Sequence, residues 1–222
     1  MDIELIRKTI LFQGMSLQET ETALRTLKAQ EKRYIKGDTV LFAGNTTERM
    51  GLVLKGSVTI ESNDMWGNRT ILSHVGKGQF FAETYAFLGN EPMLVDVTAN
   101  EDCHILFLLA GRLKQLNNSM EPWALKYAAN LLTISAHKNL TLSGRSFHTA
   151  PKTIRGRLMS YLYAQSVQQG RTEFSIPFDR QQMADYLNVE RTALSKELGK
   201  MKRDGILDYR KNRFRLIGEL NP

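Results

Sequence analysis

The stretch FDRQQMADYLNVERTALSKELGKMKRDGIL, residues 178–207, decides how this chain is read. Asp179 is a side-chain acceptor suited to a helix N-cap, and Gln182 stands three residues on, at the capping-box position. Ala184 is small, as a tight helix crossing requires, and Leu187 and Val189 bracket a short turn. Beyond that turn Leu194, Leu198 and Met201 share one face of a second helix. At about 100° per residue, Arg191, Thr192, Ser195, Lys196 and Gly199 fall on the other side. The spacing predicts a helix-turn-helix whose second helix enters a DNA major groove.

The residue types suit that task. Arg191, near the start of the second helix, can fork onto guanine O6 and N7. Lys196 can reach a base or a phosphate, and the short Thr192 and Ser195 let the helix approach closely while donating hydroxyl bonds. Arg180 and Gln181 open the first helix, where side chains and backbone N–H groups meet phosphates. After Gly205, Ile206–Tyr209 and Phe214–Ile217 read as two strands around Arg210-Lys211-Asn212-Arg213, a basic wing on the DNA backbone.

The charge follows the same division. The 222 residues carry a net charge of +7, which by itself suits any polyanion. Residues 1–150 hold 16 Lys and Arg against 15 Asp and Glu, whereas residues 151–222 hold 14 against 8. An excess concentrated in the last third points to a polyanion-binding module, and with the helix-turn-helix and its wing the expected partner is double-stranded DNA.

Working back from it, Thr153–Gln169 reads as a helix that Gly170 stops, and Ser143–Pro151 as a break or hinge. A longer helix runs from about Ser119 to Leu142. Leu125 and Leu132, seven residues apart, suit a coiled-coil seam, so this helix reads as both connector and homodimer contact. From Tyr34 to Leu109, short β-rich runs alternate with turns such as Gly37-Asp38, Lys55-Gly56, Gly67-Asn68 and Gly89-Asn90, the pattern of an antiparallel sandwich or barrel. Leu94–Ala99 alternates, and Cys103–Leu109 is a buried strand. The first stretch, Ile3–Leu27, is helical and broken at Gly14, with a capping box from Ser16 to Glu19.

Several classes fall away. A single cysteine, Cys103, excludes an internal disulfide, a thiolate zinc cluster and a four-Cys iron–sulfur site. No apolar run approaches the ~18 residues of a membrane span, and acids at Asp2 and Glu4 argue against a secretory signal, so a cytoplasmic protein is expected. His74, His104, His137 and His148 are isolated, which leaves no cupin-like metal set, and each reads as a surface or satisfied core histidine ahead of an axial haem ligand. No phosphate loop, nucleophile elbow or HExxH occurs, and we expect no catalytic residues, no metal and no enzymatic activity.

Three further stretches carry a resemblance. Ile35–Gly44 (IKGDTVLFAG), Met50–Val58 (MGLVLKGSV) and Gly78–Glu83 (GQFFAE) resemble, in order, the opening, next hairpin and phosphate-binding cassette of the cyclic-nucleotide-binding β-roll of CRP/FNR family bacterial transcription regulators. The segment at 178–207 is similar to that family's winged helix-turn-helix. The resemblance implies an α+β chain: an N-terminal antiparallel β-roll (jelly-roll) sensor domain over 1–118, a dimerisation helix and hinge over 119–150, and a winged helix-turn-helix DNA-binding domain over 151–222. It implies a homodimer on a two-fold operator and, for some members, contact with RNA polymerase. Members that bind cyclic nucleotides have Gly-Glu in the cassette, then an Arg and a small hydroxyl residue about ten positions later. Here Glu83 is kept, Ala82 stands for the Gly, and the later positions fall at Met93 and Leu94, neither of which can pair with a phosphate. A desolvated phosphate without a charge-assisted partner is unfavourable, so cyclic AMP is not expected as the effector. Glu83 reads as a structural hydrogen-bonding group ahead of a ligand contact, with Met93 and Leu94 completing the candidate effector pocket and no cofactor expected. The alternative is an effector-binding β-roll module without sequence-specific DNA binding.

Overall fold

The computed structural model describes residues 2–66, 69–115 and 121–217. The Gly67-Asn68 turn and the expected helix start at Ser119 lie outside the described residues. The chain divides into two compact units: residues 1–68 with 73–140, and residues 69–72 with 141–222.

The first unit opens with helices α1 (Ile3–Arg7) and α2 (Leu17–Thr26), separated by a single 3-10 turn at Ile10–Phe12. The Ser16 hydroxyl accepts from the Glu19 amide at 3.2 Å, and the Glu19 carboxylate accepts from the Ser16 amide at 2.7 Å, closing the capping box the sequence predicts. Eight strands follow among the described residues: β1 (Gln30–Tyr34), β2 (Thr39–Leu41), β3 (Arg49–Lys55), β4 (Val58–Asn63), β5 (Arg69–Val75, whose first four residues group with the second unit), β6 (Phe80–Phe81), β7 (Asp96–Ala99) and β8 (Cys103–Leu109), with helix α3 (Glu83–Leu88) between β6 and β7. They form two four-stranded sheets, ordered β1-β8-β3-β6 and β2-β7-β4-β5. Gly51 of β3 lies opposite Phe81, and a Cβ there would sit 2.1 Å from the phenyl ring, so this strand position admits no side chain. Cys103 is buried, as its apolar run predicts, with its sulfur 3.1 Å from the Ser57 carbonyl oxygen; burial pushes the thiol pKa up.

Helix α4 (Pro122–Thr149) packs its first half, from Trp123 to Ile134, into the core of this unit. Trp123, Tyr127, Leu131 and Ile134 are buried, while Leu125 and Leu132 lie exposed on the other side. One expectation is corrected: Ser143-Gly144-Arg145 does not break the helix. The hydrogen-bond ladder continues to the end, with the Ala150 amide donating to the Ser146 carbonyl at 3.0 Å. The stop comes from Pro151, which disfavours helical backbone at the residue before it and has no N–H to continue the ladder.

The second unit holds α5 (Ile154–Gln169), β9 (Glu173–Ser175), α6 (Arg180–Leu187), α7 (Arg191–Arg203), β10 (Leu207–Arg210) and β11 (Arg213–Leu216). Gly170 ends α5 in the left-handed region, as expected. Strands β10, β11 and β9 pair in that order, so the wing is three-stranded rather than a simple hairpin. The core joins Leu158, Tyr161 and Leu162 of α5 to Met183, Ala184 and Leu187 of α6 and Leu194, Leu198 and Met201 of α7.

Candidate functional site

In the second unit, α6, the turn and α7 build the helix-turn-helix. Asp179 accepts from the Gln182 amide at 2.8 Å and the Gln182 side chain accepts from the Asp179 amide at 2.9 Å, fixing the start of α6. Asn188 then takes φ +54°, a left-handed conformation that asparagine tolerates. Glu190 caps α7 by accepting from the amides of Thr192 and Ala193, both at 2.6 Å; these bonds hold its carboxyl below the usual carboxylate range.

The consequence is a two-faced recognition helix. Leu194, Leu198 and Met201 are fully buried, and Arg191, Thr192, Ser195 and Lys196 are all exposed on the opposite side. Gly199, assigned to the same outer face, is half-buried. Arg210, Lys211 and Arg213 are exposed at the hairpin tip, where Arg210 pairs with Arg213 across the two-residue turn Lys211-Asn212. Gln181 is exposed and donates to Asp185 at 2.8 Å.

Arg180 differs from its neighbours. Its guanidinium lies over the rings of Tyr209 (5.1 Å) and Phe214 (5.8 Å), and burial draws its pKa down. Lys202, the exposed partner of Asp208 at 2.5 Å, lies over the same Tyr209 ring. Arg180 thus joins the start of α6 to the wing, an arrangement that the helical pattern of residues 178–207 did not display because Tyr209 and Phe214 lie outside it.

In the first unit, Glu83 is the first residue of α3 and only 5% exposed. Its carboxylate is met by the ammonium of Lys138, from α4, in a very short ion pair. Met93 is 2% exposed and turned into the core, its amide donating to the Asn45 carbonyl at 2.9 Å. Leu94 is 78% exposed and its amide donates to the Tyr85 hydroxyl at 3.2 Å. The structure therefore does not bring Glu83, Met93 and Leu94 around one enclosed pocket. Sequence reasoning missed Lys138. The available signal was its place four and seven residues along from Ile134 and Leu131, on the face of α4 that should carry apolar residues: Leu131, Ile134 and Lys138 are spaced for one face. Among the described residues, no three His, Cys, Asp or Glu side chains gather to hold a metal ion, and no helix is long and apolar enough to cross a membrane.

Comparison with known proteins follows the same two-part division. Residues 31–119 match the family model of the cyclic nucleotide-binding domain, and residues 156–219 that of the Crp-like helix-turn-helix domain. The cAMP-activated global transcriptional regulator CRP of Haemophilus influenzae is 31% identical over 84 residues, 38% of each chain, so that match spans well under two-thirds of the relative. Transcriptional activator protein FnrL of Cereibacter sphaeroides is 25% identical over 191 residues, covering 79% of this chain and 71% of that one. Among solved structures, the c-di-GMP responsive global regulator CLP of Xanthomonas campestris superposes with a TM-score of 0.73 at 20% identity, covering 92% of this chain and all of that one; at that identity the likeness concerns the fold.

Proposed function

The chain belongs to the CRP/FNR family of transcription regulators, and from that premise we propose that it is a cytoplasmic regulator that binds a two-fold DNA operator as a homodimer through its central helix. The observation that carries this reading is the split face of α7: three apolar side chains buried, and Arg191, Thr192, Ser195 and Lys196 presented together to solvent. A surface with two cations and two short hydroxyl residues on a helix is the chemistry that reads base edges. The exposed Arg210, Lys211 and Arg213 suit a phosphate contact beside it. Once on a promoter, such a protein acts by meeting RNA polymerase or by obstructing it. Its action is binding, with no catalytic step.

We further read the chain as not controlled by cyclic AMP. Met93 is buried and Leu94 apolar, so the positions where relatives hold a phosphate offer no charged partner. Millimolar cyclic AMP is expected to leave the melting temperature unchanged; a clear upward shift would overturn this reading.

The direct test of the regulator reading is a gel-shift survey of genomic fragments at several salt concentrations. A subset of fragments should bind far above random DNA, with affinity falling as salt rises. Equal binding of all fragments would leave only a non-specific basic surface. Within a selected operator, Arg191→Ala should relax base preference at one position per half-site, at a cost of ~1–3 kcal/mol. An unchanged binding motif would count against the assigned helix face.

A further inference from the structure

The first unit contains a buried carboxylate at the place where the resemblance puts an effector contact, and the chain itself already occupies it. Glu83 is 5% exposed, and Lys138 reaches it from α4 with only a third of its side chain exposed. Burial works against the Lys138 charge and lowers its pKa, while the Glu83 carboxylate works to keep it protonated. Nearby, the exposed Leu94 amide is taken by the Tyr85 hydroxyl, and the Met93 amide and carbonyl bond to Asn45 and Gly44. The Met93 amide and carbonyl and the Leu94 amide are therefore each satisfied within the chain.

We propose that the Glu83 site is an alkylammonium site whose resident occupant is Lys138, so that α4 is clamped to the β-sheet unit without any small-molecule effector. The physical reason is the asymmetry of buried ion pairs: without the half-buried Lys138, the Glu83 carboxylate is a buried uncompensated charge. Where an effector would supply the group that bridges α3 and α4, this chain supplies it covalently. An occupant tethered in its own site is always present, so the clamp does not vary with metabolite concentration. Because α4 continues unbroken about three turns past Lys138 to Thr149, the clamp fixes a helix that leads directly into the second unit. This assignment rests on the regulator reading for its consequence but not for its geometry.

The test uses the full chain and two measurements. Hydrogen exchange of the α4 amides between Leu131 and Leu140 reads the clamp without DNA. Lys138→Ala should speed that exchange tenfold or more, and propylammonium, which restores the missing chain and charge, should reverse most of the change. Propanol, equal in size but uncharged, should not. The Glu83→Gln/Lys138→Met chain, which leaves no unpaired charge, should also exchange faster than wild type and gain nothing from propylammonium. Wild-type exchange unaltered in Lys138→Ala, or rescue by propanol as good as by propylammonium, would overturn the proposal. The second measurement is operator affinity. Lys138→Ala should lose at least tenfold and regain it with propylammonium, and wild-type affinity should not respond to cyclic AMP or cyclic GMP. Enhancement of wild-type binding by either nucleotide would also overturn it. If wild type binds no fragment specifically while exchange behaves as expected, the regulator reading falls and the clamp stands.

Discussion

Ala82 precedes Glu83 in the left-handed region, at φ +59°. An L-residue there pays a steric penalty of roughly 1–2 kcal/mol that glycine avoids, offset in part by glycine's greater freedom when unfolded. Ala82→Gly should therefore stabilise the first unit by about 1 kcal/mol, read as a higher denaturant midpoint at unchanged slope; a lower midpoint would mean that the Ala82 methyl contributes packing the backbone angle does not reveal. His148 offers a residue-scale test in the second unit. Its Nδ1 lies 3.1 Å from the Tyr186 hydroxyl and its ring 5.4 Å from that of Tyr161, while Arg145, one turn earlier, sits over the Tyr186 ring with its Nε buried and unpartnered among the described residues. Burial lowers the His148 pKa from 6.5, so between that depressed value and 6.5 the unfolded chain binds more protons than the folded one. Stability must then rise with pH across the window, and fall as pH drops through it. Melting temperatures between pH 7 and about 5.5 should show this slope, and His148→Gln should flatten it. Some slope will remain, because burial lowers His74 in the same direction. These residue-scale features divide by how local their causes are. The caps at Ser16 and Asp179 were legible because donor and acceptor lie three residues apart. The Glu83–Lys138 pair was not, because 55 positions separate its members and only the fold brings them together.

At the scale of elements, the recognition helix was legible almost to the residue because its pattern is a local contrast, buried Leu194, Leu198 and Met201 against exposed polar neighbours. The end of α4 was misread because Gly144 carries a helix-breaking bias of only about 1 kcal/mol, which a packed 28-residue helix absorbs, whereas Pro151 removes a donor outright. The wing shows a third case. Its two strands were visible in sequence, but β9 was not: three residues, Glu173–Ser175, carry too short a pattern, and only their pairing with β11 defines them. What fixes the wing to α6 is testable. If Arg180 clamps Tyr209 and Phe214, Arg180→Ala should lower the stability of the second unit by about 1 kcal/mol, within the range of cation–π contacts. The dependence of operator affinity on salt should keep its slope. If Arg180 instead meets a phosphate, the slope should fall by about 0.9 per contact. Arg210→Ala is the comparison: exposed at the hairpin, it should reduce the slope and leave the melting temperature nearly unchanged.

At the scale of the whole molecule, the outer face of α4 is the surface on which the proposed homodimer would form. Leu125, Ala129, Leu132, Ala136 and Leu140 recur at intervals of three or four residues, all exposed, opposite the buried Trp123, Tyr127, Leu131 and Ile134. Leu132, at the middle, is 71% exposed. A leucine–alanine stripe of this kind runs about 22 Å along a helix and offers a second helix both ridges and hollows. Under two-fold symmetry the same patch faces itself, so the leucines of one copy can enter the alanine hollows of the other. A chain pairing in this way sediments at twice its 25.3 kDa mass. Leu132→Glu places a carboxylate against its own symmetry mate at the centre of the contact, where like charges meet with little water between them. The expected result is a monomer at micromolar concentration with an unchanged fold by circular dichroism, while Leu132→Ala, which only trims the ridge, remains largely paired. Operator affinity should fall with the dimer, since the second half-site must then be bound by a separate molecule and the gain of roughly 10²–10⁴ from linkage disappears. A Leu132→Glu chain that still sediments as a dimer would move the self-contact off α4 altogether, and the matched spacing of leucine and alanine along this helix would then need another partner to explain it.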